Sequence, residues 1–193
     1  TDGPLLVLAG AGSGKTRVLT TRIAYLIGEK NIAPYHILAL TFTNKAASQM
    51  LARICALTGM EAREFWGGTF HSLGNRFLRI EAEAAGLSPN FTILDSDDSE
   101  SLIKASSNEI FPSYFSDKDN PKPKLLRDII SYARNTRSSV RDAMADRFSW
   151  LESPYGDIEE IAEYYAEKKR AANSCDFDDL LELWYMLLRD NPE

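Results

Sequence analysis

Sulfur and imidazole are scarce in this chain, which has two cysteines and two histidines in 193 residues. Cys55 and Cys175 stand far apart and form neither a CxxC pair nor a Cys/His cluster, so neither a disulfide framework nor a zinc site is implied. A reduced, cytoplasmic compartment is the expected setting. Long apolar runs are lacking as well: nothing approaches the roughly 18 to 20 residues of a membrane span, and no basic-then-apolar leader opens the chain. No membrane partner is expected. The first residue is Thr1 and not Met, which leaves room for a segment upstream.

An overall basic excess is also missing, since the net charge is -6, yet the distribution of charge says more than its sum. Lys and Arg outnumber Asp and Glu by nine to six in residues 1–94, whereas residues 95–193 carry 13 against 22. The front half is mildly basic and the acid lies behind it. With 44% hydrophobic residues, the chain can build a core without disulfides or metal, as one large domain or two small ones.

Residues 5–94 alternate short apolar runs with amphipathic stretches: Leu5–Leu8, Thr16–Ile27, Ile37–Thr41, Lys45–Leu57, Phe65–Phe70, Ser72–Ala85 and Phe91–Leu94. This alternation predicts βαβ units on a parallel sheet. From "ILDSDDSESLI" onward the pattern is helical, with Asp95 or Ser96 as an N-cap. Helices are expected over Ser96–Ile110, Lys124–Asn135, Val140–Trp150 and Ile158–Ala172, and no strand is expected there. A proline-containing loop, "FPSYFSDKDNPKPK", separates the first two. The last stretch, "DFDDLLELWYMLLRDNPE", predicts an amphipathic helix with Phe177, Leu180, Leu181, Trp184, Leu187 and Leu188 on one side.

"AGAGSGKT", Ala9 to Thr16, follows the apolar run Leu5–Leu8 and precedes a helical stretch. It fits the phosphate-loop pattern GxxxxGK[ST] except at its first position, where Ala9 replaces glycine. Backbone N–H groups of such a loop close around phosphates, Lys15 reaches the outer phosphates, and the Thr16 hydroxyl holds Mg²⁺. Gly10, Gly12 and Gly14 supply the backbone freedom, and a helix starting near Lys15 turns its positive end toward the anion.

Two further strand ends repeat the strand-to-helix logic. In an open α/β sheet ligands bind at the carboxyl ends of strands, which puts Thr41, Phe42, Thr43 and Asn44 of "TFTN", and Thr69, Phe70 and His71 of "GTFH", on the functional edge. Hydroxyls and an amide suit phosphate oxygens, and an aromatic face suits a stacked base. Phe42 and Phe70 equally suit core aromatics at a strand end, and His71 an ordinary first-turn helix residue.

The ordered set "LLVLAGAGSGKTRVL", "ILALTFTNKAASQM", "WGGTFHSLGNRFLR", "FTILD" and "CDFDDLLELW" resembles the N-terminal part of superfamily 1 DNA helicases of the UvrD, Rep and PcrA type. The resemblance implies an α/β fold: a P-loop, RecA-like parallel sheet with helices on both faces, plus an all-helical inserted subdomain. Residues 1–94 would form the first segment of the RecA-like ATP-binding domain, 95–174 the helical insertion, and 175–193 the helix returning to that domain. It further implies ATP with Mg²⁺ on Ala9, Gly10, Ala11, Gly12, Ser13, Gly14, Lys15 and Thr16, with Arg17 approaching the nucleotide. Single-stranded DNA would lie on Thr41, Phe42, Thr43, Asn44, Thr69, Phe70 and His71.

The same resemblance implies a glutamine motif before Thr1, an acidic motif after Glu193 and a second RecA-like domain, none of which lies within these 193 residues. In the family they read the adenine, orient Mg²⁺ and the attacking water, and supply arginines to the transition state. The implied activity of the whole protein is ATP-driven translocation on single-stranded DNA and unwinding at duplex junctions, in repair or replication. By itself the chain is expected to bind nucleotide weakly, hydrolyse it negligibly and unwind nothing. A helicase-nuclease of the AddA or RecB kind shares these motifs, and a P-loop kinase or a non-enzymatic nucleotide-binding module would share the loop alone.

Overall fold

The computed structural model describes residues 3–8, 10, 12–151 and 154–191. It is a mixed α/β structure in which helices dominate and strands form two small parallel sheets. The chain divides into two compact units, Thr1–Leu73 and Gly74–Glu193.

In the first unit, α1 (Lys15–Gly28) and α2 (Asn44–Thr58) pack with β1 (Leu38–Thr41) and β2 (Trp66–Thr69). The two strands pair in parallel, from Leu38 with Trp66 to Thr41 with Thr69. The α2 sequence contains its own start and stop: the Thr43 hydroxyl accepts the Ala46 N–H at 3.1 Å, and Gly59 closes the helix with φ +72°. Between these caps Ala47, Met50 and Ile54 recur on one side and are buried. Met50 and Ile54 form the unit's core with Ile23, Ala39 and Phe65.

The paired glycines of β2 answer to close packing. A Cβ on Gly67 would overlap the Leu51 side chain of α2, and one on Gly68 would stand 2.5 Å from Ser72 Oγ. The second unit begins within α3 (Phe70–Ile80) and contains β3 (Thr92–Ile93), β4 (Ser174–Cys175) and five further helices. These are α4 (Ser96–Ile110), α5 (Pro123–Thr136), α6 (Val140–Arg147), α7 (Tyr155–Ala171) and α8 (Phe177–Asp190). Strands β3 and β4 pair in parallel, and α4 to α7 lie between them in sequence. Ile103, Leu126, Ile129, Ile158 and Ile161, all fully buried, anchor the core that α4 to α7 share. A separate core joins Leu78, Phe91, Cys175, Leu180 and Leu187 around the β3–β4 pair and α8.

Several expectations are corrected. Leu5–Leu8 is not a strand, and Leu6 and Leu8 are more than four-fifths exposed. A strand needs a neighbour for its ladder, and β1 and β2 pair only with each other among the described residues. The stretch Ser72–Ala85 is not one helix: α3 ends at Ile80 and a separate 3-10 turn covers Glu83–Ala85, closed by Gly86 with φ +72°. Helix α6 stops at Arg147, short of Trp150. Strand β4 was not expected at all, because two residues are too few to show any periodicity. Cys55 and Cys175 are both free thiols.

Candidate functional site

The glycine-rich loop enters α1 through two left-handed glycines, Gly12 (φ +75°) and Gly14 (φ +90°), a conformation that a Cβ would strain. Three donors converge on the Gly10 carbonyl: Ser13 Oγ at 2.6 Å, Lys15 Nζ at 2.7 Å and the Ser13 N–H at 3.4 Å. The first helical bond of α1 runs from the Val18 N–H to the Gly14 carbonyl at 3.0 Å. No side chain caps this helix start, and its first turn carries no acid. Helices α4 and α8 differ here, since the carboxylates of Asp95 and Asp176 already fill their first turns. The α1 start therefore keeps the positive end of a helix dipole open to an anion.

Lys15, Thr16 and Arg17 are all exposed within this first turn. Arg17 joins Gly12, Ser13, Gly14, Val18 and Thr21 around an open depression. The loop thus brings together an ammonium, a hydroxyl and a guanidinium beside flexible backbone, a donor set suited to a polyphosphate with its metal. Ala9 and Ala11 lie outside the described residues.

At the carboxyl edge of the β1–β2 sheet, Thr41 and Thr69 are register partners. The next residue on each strand is a phenylalanine, and the Phe42 and Phe70 rings face each other at 5.9 Å between centroids, tilted by 49°. Phe42 is 92% exposed and Phe70 40%, so neither is a core aromatic. The hydroxyls beside them are engaged in local bonds. Thr43 caps α2, and Thr41 Oγ1 donates to the Thr43 carbonyl at 3.2 Å. Thr69 is buried and exchanges bonds with Ser72: its N–H donates to Ser72 Oγ at 2.9 Å, and its Oγ1 accepts the Ser72 N–H at 3.2 Å. Asn44 and His71 are exposed. The edge consequently offers two ring faces, an amide and an imidazole, with threonines holding the turns beneath them.

A third strand end carries the same signature. Strand β4 runs through Asp176 into α8, whose first residue, Phe177, is 48% exposed. Helical periodicity assigns Phe177 and Leu188 to the buried side of α8, but only Leu180, Trp184 and Leu187 of the expected six are buried, and Leu188 is 55% exposed. The available signal was positional: an aromatic one residue beyond an N-cap at the end of a strand, as at Phe70 one residue beyond Thr69.

The α8 start is also where titratable groups are most strongly perturbed. Burial would raise the Asp176 carboxyl, but the Lys169 ammonium and the Arg134 guanidinium outweigh it and hold the group down at about 2. Burial, reinforced by Asp179, pushes the Cys175 thiol up to about 12, so it is protonated and inert at neutral pH. No group of His, Cys, Asp and Glu side chains suited to a metal ion occurs among the described residues, and none of their helices is long and apolar enough to cross a membrane.

Residues 1–193 match the UvrD/REP helicase N-terminal domain family. The chain is 41% identical over 193 residues to a Staphylococcus epidermidis protein named ATP-dependent DNA helicase PcrA, and 42% identical over 194 residues to one of the same name from Leuconostoc citreum. A Staphylococcus aureus protein, again named ATP-dependent DNA helicase PcrA, is 39% identical over 193 residues. Each alignment covers 100% of this chain, and the chain spans about a quarter of the length of these relatives (26%, 25% and 26%).

Proposed function

The chain belongs to the UvrD/REP helicase N-terminal domain family, and from that premise we propose that it supplies one wall of an ATP site and part of a single-stranded DNA track. In the intact protein these parts serve an ATP-dependent DNA helicase, which couples hydrolysis to translocation and unwinding in a reduced, cytoplasmic setting. The carrying observation is that one compact unit holds both devices: an uncapped, glycine-led helix start and a pair of exposed aromatics on a parallel sheet's carboxyl edge.

ATP with Mg²⁺ supplies a phosphoanhydride whose cleavage spreads negative charge over the transferred phosphoryl oxygens. Lys15, which bonds the Gly10 carbonyl, would reach the outer phosphates and neutralise that charge, and the Thr16 hydroxyl would hold the metal. Backbone N–H groups of the loop would hold the phosphates, and Arg17 would flank them. The carboxylate that orients the water and the arginines that complete the site come from other parts of the intact protein. On the DNA side, Phe42 and Phe70 stack against bases, Asn44 and His71 meet the backbone, and Thr41, Thr43 and Thr69 fix the turns that present them. Phe177 acts as a further stacking face. In this assignment residues 1–94 belong to a RecA-like domain, α4 to α7 form its helical insertion, and α8 returns to it.

The experiment is single-stranded DNA binding by the full-length protein, followed by the anisotropy of a labelled oligothymidylate at several salt concentrations. Affinity that falls linearly with log salt and drops about fivefold or more on Phe42→Ala supports the assignment. Affinity indifferent to both refutes it.

A further inference from the structure

A cavity of about 670 Å³ opens in the second unit between α5, α7, α8 and the turn at Gly86. Its walls are largely apolar, with Leu87, Ile130, Ala162, Ala166, Leu183 and Met186 among them. Ala162 and Ala166 lie one turn apart on α7, and their short side chains leave volume that longer ones would occupy. Tyr165, Lys169 and Cys175 form the deep end, each at most 2% exposed. The size is that of a small-molecule site, roughly 300 to 1,000 Å³. The deep charges are already engaged: Lys169 donates to Asp176 and, at 2.5 Å, to Asp179, while Arg134 donates to Asp179 at 2.5 Å and to Glu182 at 3.0 Å. Three ionic groups of the lining, Arg137, Arg170 and Glu163, make no ion pair among the described residues, and all three are exposed.

Arg137 ends α5 in the left-handed region (φ +53°), which the other non-glycine residues of positive φ, Asn31 and Asn173, adopt more easily. Its guanidinium lies over the Tyr185 ring, 4.2 Å from the centroid. Stacking occupies the face of a guanidinium and leaves its N–H edge for an anion. Arg170 stands in the last turn of α7. Apolar walls, with two unpaired arginines against one glutamate at the mouth, complement a molecule that has an apolar body and one negative charge. We propose that this cavity binds an amphipathic monoanion, its rings or alkyl chain against Leu87, Ala166 and Leu183 and its acidic head at Arg137 and Arg170. The site shares no residue with the phosphate loop or with the Phe42 and Phe70 edge, so it is independent of the helicase assignment. Arginines that served solubility alone could be removed without changing the affinity of an apolar anion.

The probe is anilinonaphthalene sulfonate, an aromatic monoanion, titrated by fluorescence into the full-length protein well below its unfolding temperature, beside its uncharged counterpart phenylnaphthylamine. Saturable binding of both is expected. Arg137→Gln combined with Arg170→Gln should weaken the anion about tenfold or more, the range of charge-assisted hydrogen bonds, and leave the neutral probe within about twofold. Ala166→Phe, which fills the cavity, should weaken both probes about tenfold or more. Unfolding midpoints of the variants separate lost binding from lost folding. Should Ala166→Phe fail to fold, Met186→Trp takes its place with the same outcomes. Equal weakening of the two probes by the glutamine substitutions overturns the proposal, as does affinity indifferent to Ala166→Phe in a folded variant. Absence of saturable binding by the full-length protein overturns it too, and is the result expected if another part of the same chain fills the cavity.

Discussion

Phe42 and Phe70 meet with ring centroids 5.9 Å apart because their strands end in register, Thr41 opposite Thr69. A parallel ladder places equivalent positions side by side, so two strands that each end in threonine and phenylalanine build a two-ring platform. Phe42 is almost wholly open, whereas Phe70 keeps 40% of its surface exposed. Phe42 is therefore expected to contribute to binding single strands and not to folding. Phe42→Ala should leave the unfolding midpoint within about 0.5 kcal/mol of the parent, as for an exposed site, while weakening oligothymidylate binding on the order of 1 to 3 kcal/mol. Chemical denaturation and anisotropy on the same preparation check both halves.

Gly68 makes the opposite prediction. Its missing Cβ leaves room for Ser72 Oγ, which closes the turn by bonding Thr69. Gly68→Ala should cost on the order of 1 to 3 kcal/mol by overpacking and should disturb the presentation of Phe70, so stability and DNA binding fall together. A Gly68→Ala variant as stable as the parent would contradict this packing.

The Lys169–Asp176 pair predicts a defined acid sensitivity. Asp176 has an ordinary value near 3.8 and is held at about 2 in the fold. The unfolded chain therefore takes up the proton first, and stability due to this group is complete above about pH 4 and is lost as the pH falls toward 2. Asp176→Asn should be less stable than the parent at pH 7 and should lose less on acidification across that window. Denaturation midpoints at pH 7, 4 and 3 check it. Lys169→Met, which leaves the buried Asp176 and the half-buried Asp179 short of a cation, should cost on the order of 3 kcal/mol.

Local signals made much of this fold legible. Thr43, Asp95 and Asp176 cap helices whose apolar spacing is plain, and α4 runs from Ser96 to Ile110 as the pattern predicts. The glycine loop is legible because strong local rules select its residues. What could not be read depends on distant partners. Leu5–Leu8 has strand composition, yet composition cannot supply a neighbouring ladder. Strand β4 exists because Thr92 pairs with Ser174 across the whole helical stretch. The Arg134, Lys169 and Asp176 cluster joins three helices, and Phe177 looked apolar and buried because a helical wheel does not say which side is covered.

The central claim is that the α1 start is the phosphate-gripping half of an ATP site coupled to DNA. Its most direct test is ATP hydrolysis by the full-length protein with and without single-stranded DNA, compared with Lys15→Ala. The account predicts DNA-stimulated turnover in the parent and loss of at least about a hundredfold in the variant, since the charge developing on the transferred phosphoryl group loses its ammonium. Near-parental, DNA-stimulated turnover by Lys15→Ala would contradict it.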